Sequence, residues 1–176
     1  LKARRDGYDG HGNLVVRAPD GAEQACAALG WPDKTLFAEA FVEFERELAS
    51  LVVRGLDGGI AQYPLVETIQ DPELHICREV LAPADVRSDV AEHAQAIARG
   101  AAEAVDATGA LGVELFLLPD GQVVVNELAP RPHNSAHYSI DACWSSQFDN
   151  HVRAVLGSAG LYLQDHLDLV HVQPRG

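Results

Sequence analysis

The chain has 176 residues and 47% hydrophobic content, enough to bury one core or one core with a small lobe. Its formal net charge of −13 argues against a nucleic-acid partner, which would need a basic face. No stretch approaches the roughly 18 apolar residues of a membrane span, and three cysteines without paired spacing predict a reducing, cytoplasmic setting.

A glycine-rich segment near the start of the chain, "DGYDGHGN", lies between two predicted strands. One strand contains Lys2 and the other covers 13–17, and a short helix is predicted over 20–30. The three glycines allow the backbone to approach an anion closely and to point N–H groups at it. The alternative is a tight hairpin turn without a ligand, in which case Lys2 is a solvated side chain.

The middle of the chain predicts a sheet and a long helix. Apolar runs and period-two alternation predict strands over 35–42, 44–55, 60–70 and 77–84. Ser88–Thr108 is rich in alanine, with apolar residues at helical spacing, and is predicted to be a helix. A closing helix is predicted over 139–157. Together these elements predict one α+β body with a smaller lobe in front.

Four glutamates alternate with apolar residues between Glu39 and Glu47. A solvated edge strand explains them, and this is our interpretation of Glu43 and Glu45. A strand that passes into a connecting segment is also a common place for backbone groups to contact an adenine edge. The segment therefore stays a candidate nucleotide contact.

The stretch "GVELFLLPDGQVVVNEL" predicts a hairpin with Asp120 and Gly121 as a two-residue turn. In that register Glu114 lies directly opposite Glu127, where like charges are destabilising. A divalent cation held by both carboxylates would explain the pair, and oxygen ligands favour Mg²⁺ or Mn²⁺ with phosphate completing the site. The alternatives are a salt bridge to Arg131, simple exposure, or a three-residue turn that makes the pair diagonal.

Charged and amide groups follow the second strand of this hairpin, in "NELAPRPHNSAH". Arg131 is a planar, permanently charged fork suited to phosphate or carboxylate oxygens. His133 and Asn134 could orient a small oxyanion beside it. The segment predicts an anion site close to the carboxylate pair.

These residues resemble the ATP-grasp family of 5-(carboxyamino)imidazole ribonucleotide synthases of purine biosynthesis. The resemblance covers almost the whole chain, in "LKARRDGYDGHGN", "EAFVEFEREL", "YPLVETIQ", "ICREVLAPA", "GVELFLLPDG" and "NELAPRPHNSAHYSIDACWSSQF". The last motif is the most specific, because other ATP-grasp enzymes share the metal carboxylates but not its Pro-His-Asn-Ser run.

The resemblance implies an α+β ATP-grasp fold, with two lobes of mixed or antiparallel sheet and helices and with the nucleotide between the lobes. Residues 1–45 would form a small glycine-loop lobe, and 46–176 a large lobe with the metal and anion site. We expect the chain to be the central ATP-grasp portion, without the family's N-terminal and C-terminal domains.

The activity implied is that of a ligase forming a C–N bond. The family uses MgATP and bicarbonate, through carboxyphosphate, to carboxylate the exocyclic amine of aminoimidazole ribonucleotide. The implied partners are small molecules, with no nucleic acid and no membrane, and a homodimer is compatible with the resemblance.

The resemblance also implies roles for particular residues. Glu114 and Glu127 would bind Mg²⁺ or Mn²⁺, and Arg131, His133 and Asn134 would hold bicarbonate and the transferred phosphate. The nucleotide would be held by the phosphate loop with its lysine, the hinge, and groups on the sheet: Lys2, Gly7, Tyr8, Asp9, Gly10, His11, Gly12, Asn13, Glu39, Ala40, Phe41, Val42, Glu47, Gln70 and Asn126.

Two positions depart from the family pattern, and two rival functions stay open. His11 stands where family members usually carry Arg or Lys, and Gln70 stands where some relatives have a histidine. Another ATP-grasp ligase, such as a formate- or biotin-using enzyme, would share Glu114 and Glu127 but not "RPHNSAH". A non-catalytic nucleotide-binding module would keep the fold alone.

Overall fold

The computed structural model describes residues 1–6, 11–71 and 77–157, together with the backbone of Val170–Val172. The chain divides into two compact units. The first is built on Leu1–Glu43, and the second on Phe44–Gln70 and the chain from Cys77 onwards. Of the predicted phosphate loop, Gly7, Tyr8, Asp9 and Gly10 lie outside the described residues.

The first unit contains strand β1 (Lys2–Ala3), helix α1 (Ala22–Ala28) and strand β2 (Leu36–Phe37), which pairs antiparallel with β1. The predicted helix is confirmed. The strand predicted over 13–17 is wrong, since only Asn13 takes part in pairing, through one bridge to Lys2. The strand predicted over 35–42 is shorter than expected, because the residues after Phe37 have no strand partner in the described part of the chain.

The second unit is built on a seven-stranded sheet in which every pairing is antiparallel. Its strand order is β8-β7-β3-β5-β6-β9, with β4 also paired to β3. The strands are β3 (Arg46–Arg54), β4 (Ile60–Gln62), β5 (Val66–Gln70), β6 (Cys77–Ala82), β7 (Gly109–Leu117), β8 (Val123–Ala129) and β9 (Val170–Val172). The predicted strand over 60–70 is divided in two around Pro64, which has no N–H to donate to a ladder.

One face of this sheet is covered by helix α2 (Ser88–Ala104), which confirms the predicted long helix. The helix buries Val90, Ala94, Ala98 and Ala102, four residues apart, against the sheet. Side chains this small let the helix backbone lie close to the strands. This face is a continuous apolar core.

The opposite face carries α3 (Ser139–Ala142) and α4 (Gln147–Val155) instead of the single closing helix that was predicted. The second helix begins afresh because Ser146 and Asp149 form a capping box. Their side chains accept from each other's main-chain N–H groups, at 3.2 Å to Ser146 Oγ and 3.1 Å to Asp149 Oδ2. Among the helices of the described residues, none combines the length and apolar character that crossing a bilayer needs.

Candidate functional site

The candidate site of the second unit lies on the sheet face that carries α3 and α4, where the buried core gives way to polar side chains. Alternate residues of β3 point to this face, and they change from buried Ala49 and Leu51 to half-buried Glu47. On β7 the same change occurs between buried Ala110 and half-buried Glu114. The site is therefore an extension of a packed core on rigid strands.

The two predicted metal carboxylates, Glu114 on β7 and Glu127 on β8, lie directly opposite each other in the ladder, as expected. The turn that was predicted to place them is wrong. Leu118 exchanges main-chain hydrogen bonds across the turn with Gln122 and Gly121, so the loop has three residues, with Gly121 at φ +84°. That loop alone would have placed Glu114 opposite Asn126.

A β-bulge restores the direct pairing. Leu115 pairs with Val125, but the next residue, Glu114, pairs with Glu127, so Asn126 is the extra residue on β8. Without this extra residue Glu127 would lie opposite Val113 and face the α2 core, because a shift of one residue exchanges the two faces of a strand. The bulge also allows Asn126 Nδ2 to donate to Glu114 Oε2 at 3.3 Å.

The imidazole of His133 completes this group. Its Nε2 lies 3.2 Å from Glu114 Oε1, and its Nδ1 lies 2.8 Å from Ser135 Oγ. The main-chain N–H of Ser135 also donates to Nδ1, which leaves the ring proton on Nε2, facing the carboxylate. Burial lowers the pKa of the neighbouring His137, and His133 lowers it further.

Glu47 and Gln70, both assigned to the nucleotide, lie together on the same face. Gln70 Nε2 donates to Glu47 Oε2 at 2.7 Å. Burial raises the pKa of Glu47 and the negative charge of Glu114 adds to this, while the hydrogen bond from Gln70 acts in the opposite direction. Three carboxylates, at Glu47, Glu114 and Glu127, thus make this face electronegative and suited to a cation.

Arg131 and Asn134 are exposed beside this group. The Arg131 guanidinium donates to the carbonyl oxygen of Pro132 at 3.1 Å. Within the described residues the side chain that faces Glu114 is the His133 imidazole, and the Arg131 guanidinium bonds to a main-chain carbonyl, so the alternative of a salt bridge from Arg131 to the carboxylates is not what the structure shows. Asn134 begins the short 3-10 helix Asn134–Ala136, directly after His133.

Two features of the site were not found from the sequence. Gly112 leaves room for the His133 ring, since a Cβ at that position would lie 2.7 Å from His133 Cγ. Phe44 and Phe116 stack in parallel with ring centroids 4.2 Å apart. A glycine or phenylalanine within an apolar run carries no sequence signal for such contacts.

Cys77 is the one thiol on this face among the described strands, and it pairs in register with Gln70. Burial raises its pKa to about 11, with contributions from the charges of Glu114 and Glu47. Cys77 therefore stays a thiol at neutral pH and is unsuited to nucleophilic catalysis.

In the first unit, Lys2 forms a salt bridge with Glu39, at 2.5 Å between Nζ and Oε1. The side chains are 34% and 51% exposed, and ion pairs this accessible contribute little to stability. Ala3 N donates to Gly12 O at 2.7 Å, and Gly12 has φ +84°, which closes the base of the glycine loop. The structure thus brings Lys2, Glu39, Gly12 and Asn13 together.

Of the remaining residues assigned to the nucleotide in this unit, His11 is exposed at the base of the loop. Ala40 and Phe41 are exposed and Val42 is half-buried, in the segment after β2 that forms no described strand. Main-chain N–H and C=O groups outside a sheet ladder are suited to pairing with a ligand.

In the described residues, no group of three or more His, Cys, Asp or Glu side chains converges as a metal site. A cation held by Glu114 and Glu127 would therefore need oxygen ligands from a bound molecule, which is how Mg²⁺ is commonly held beside phosphates.

The model of the ATP-grasp domain matches residues 1–148. The chain belongs to the ATP-grasp family. The chain is 48% identical to phosphoribosylaminoimidazole carboxylase of Ogataea methanolica and 46% identical to N5-carboxyaminoimidazole ribonucleotide synthase of Synechococcus elongatus. These alignments cover 89% and 92% of the chain, but only 28% and 40% of the relatives' own lengths.

A solved ATP-grasp structure shows the same fold. The N5-carboxyaminoimidazole synthase of Aspergillus clavatus, in complex with ADP and 5-aminoimidazole ribonucleotide, superposes with a TM-score of 0.78 at 41% identity. The match covers 88% of this chain and 39% of that one. The α+β ATP-grasp fold expected from the sequence is thus confirmed.

Proposed function

We propose that the full-length protein containing this chain carboxylates aminoimidazole ribonucleotide with ATP and bicarbonate. The products are 5-(carboxyamino)imidazole ribonucleotide, ADP and phosphate. The observation that carries the proposal is the group formed by Glu114, Glu127 and His133 on one sheet face. Relatives that align over about nine-tenths of the chain are named for this synthase or for the carboxylase.

In the proposed reaction, an oxygen of bicarbonate bonds to the γ-phosphorus of ATP as the bond from that phosphorus to ADP breaks. The product, carboxyphosphate, then reacts with the exocyclic amine. A C–N bond forms to its carboxyl carbon, phosphate leaves, and the amine loses a proton. Arg131 binds the oxyanions through its fork of N–H donors, and the imidazole of His133 and the amide of Asn134 orient them.

The residues present fit a divalent cation. Glu114 and Glu127 supply two hard oxygen donors that the bulge holds opposite each other, and the Asn126 amide lies beside them. These two carboxylates would hold Mg²⁺ or Mn²⁺, which when bound supplies positive charge to the phosphate oxygens. The chain's own part is to hold both carboxylates on rigid strands before the ligand arrives.

The nucleotide contacts are part of the proposal. Lys2 and the glycine loop would bind phosphate oxygens, and the weak pair between Lys2 and Glu39 costs little to open. Glu39–Val42 would offer backbone groups to the adenine. Glu47, held by Gln70, would accept hydrogen bonds from the ribose hydroxyls. A cytoplasmic location fits this purine-biosynthetic role.

The test is turnover of the full-length protein with MgATP, ¹⁴C-bicarbonate and aminoimidazole ribonucleotide. We expect phosphate release that requires all three substrates, and transfer of the label to an acid-labile product. Phosphate release supported by formate but not bicarbonate would favour the formate-using ligase. Tight MgADP binding without turnover under any of these conditions would favour the non-catalytic module and overturn the proposal.

A further inference from the structure

The first residue of α4 holds the main chain of His133 at both of its polar groups. Gln147 is fully buried, with 0% of its surface exposed. Its Oε1 accepts a hydrogen bond from His133 N at 2.7 Å, and its Nε2 donates to His133 O at 2.9 Å. The Gln147 amide thus pairs with both main-chain polar groups of His133, as the backbone of a neighbouring strand would.

Gln147 is itself fixed from two directions. The capping box of Ser146 and Asp149 fixes the start of α4. The main-chain N–H of Gln147 donates to Ser139 Oγ at 3.0 Å, and that hydroxyl donates to Ala136 O at 2.6 Å. Ser139 is also fully buried. The clamp on His133 therefore has little freedom to move.

A fixed main chain at His133 determines where its imidazole lies. The ring occupies the space left by the absent side chain of Gly112, and from there its Nε2 reaches Glu114. A rotation of the His133 backbone would move the ring out of this space beside Gly112. In the described residues the His133 carbonyl also accepts from Ala136 N at 3.0 Å, whereas the His133 N–H donates to Gln147.

We infer that Gln147 is a positioning residue for His133, acting through the two hydrogen bonds to its main chain and touching no substrate. This inference rests on the proposed function for its effect on turnover, but its structural part does not. The competing explanation is that Gln147 is only a satisfied buried amide that stabilises α4.

Two buried amides on α4 allow a matched comparison. Asn150 is fully buried one turn after Gln147, and its Nδ2 donates to Tyr63 OH at 2.8 Å, away from His133. Gln147→Met and Asn150→Leu each replace a buried amide by an apolar side chain of similar size. Both should reduce stability, but only Gln147→Met should release the main chain of His133.

The experiment measures both variants in the full-length protein, well below their melting temperatures. We expect Gln147→Met to lower kcat on the order of 10- to 100-fold with a smaller change in KM for ATP, as small misplacements of reacting groups do. It should also shift the imidazole NMR signal of His133, assigned with His133→Ala in ¹³C-histidine-labelled protein. Asn150→Leu should do neither.

Gln147→Glu gives a second test if Gln147→Met does not fold. Its carboxylate cannot donate to His133 O, whereas the protonated acid can donate and accept as the amide does. The ratio of variant to wild-type turnover should therefore rise as pH is lowered from 8 towards 5.5. A flat ratio would overturn the inference.

The remaining outcomes separate the inference from the proposed function. Equal effects of Gln147→Met and Asn150→Leu on kcat, or an unmoved His133 signal in Gln147→Met, would overturn the positioning role. If the wild-type protein shows no turnover with aminoimidazole ribonucleotide, the proposed function fails. The His133 signal then still decides whether Gln147 positions the ring.

Discussion

On the face of the sheet that carries α2, the side chains of β7 are apolar from Leu111 to Leu117, whereas on the opposite face they change from Ala110 to Glu114 within four residues. The first face is one packed core with four alanine and valine positions of α2 against it. The second is a core that ends in three carboxylates and a histidine. The same strands thus carry a packed apolar core on one side and the candidate site on the other.

The largest effect is expected when a side chain in the core under α2 is truncated. If the two faces are independent, ligand binding at the candidate site should not change. Leu111 is 1% exposed, and Leu111→Ala should lower the free energy of unfolding by about 2–5 kcal/mol. The melting shift caused by MgADP should be kept in the folded variant. Chemical denaturation and thermal melting with MgADP measure the two quantities.

Leu56→Ala is the control for this change, because Leu56 is 66% exposed and its truncation should have almost no effect. If Leu111→Ala folded but gave no melting shift with MgADP, the two faces would not be separable.

The complementary substitutions remove a carboxylate from the site face and leave the α2 core intact. Glu127→Gln keeps the side-chain volume and removes one of two opposed charges, so the ligand-free protein should be as stable as wild type or slightly more so. What should disappear is the stabilisation by MgADP, worth about 2.7 kcal/mol at a ligand concentration 100 times Kd. Glu114→Gln should lose the MgADP stabilisation in the same way.

Glu92→Gln, an exposed carboxylate on α2, removes the same charge from the other face and should keep the full MgADP shift. A normal magnesium-dependent shift in both site variants would show that the opposed carboxylates do not bind the metal.

Replacing one glycine on the site face and one glycine on α2 by alanine should change stability in opposite directions. Gly112→Ala would place a Cβ 2.7 Å from His133 Cγ, so the ring must move. We expect a loss of about 1–3 kcal/mol in stability, typical of overpacking, and a fall in turnover. Gly100→Ala on α2 has no atom within 4 Å of its new Cβ and should gain about 0.5–1 kcal/mol. Urea unfolding and kcat of the full-length protein would show whether the two changes have opposite signs.

The smallest expected effect is that of Glu47→Gln, and it depends on pH. The raised pKa means that folded Glu47 holds its proton at pH values where the unfolded side chain has lost it. Glu47 therefore lowers stability as pH rises above 4.5, the ordinary pKa of a glutamate carboxyl. Glu47→Gln should be more stable than wild type at pH 7, and this gain should shrink at pH 4. A gain of the same size at both pH values, measured by urea unfolding, would contradict the role of charge.

The two faces also differ in how far the sequence predicts them. Helix α2 follows from its alanine content and the spacing of Val90 and Ala94, because its buried residues recur at every fourth position. The family motifs identify the carboxylates and His133. The opposed pair was predicted through a two-residue turn, but the structure reaches it through a three-residue loop and a bulge at Asn126. No turn residue marks that bulge.

What sequence reasoning missed depends on contacts between distant segments. The side chain of Gln147, at the start of a helix, bonds to the main chain of His133, in a loop. A hydrogen bond of this kind leaves no periodic pattern in the sequence. In the sequence Gly112 is one residue of an apolar strand. Only the structure shows that the His133 ring occupies the space that a side chain at Gly112 would fill. The break between α3 and α4 could have been found, since Ser146 and Asp149 have the spacing of a capping box.

The three-residue loop between β7 and β8 has a consequence for the order in which the fold assembles. A hairpin with so short a loop closes with little loss of chain entropy, whereas β7 must find β3 across the whole segment from Arg54 to Gly109. We expect the hairpin to form first and to dock on β3 later. Glu114 and Glu127 would then meet while the chain is still largely unfolded, and Glu47 would join them only in the last steps.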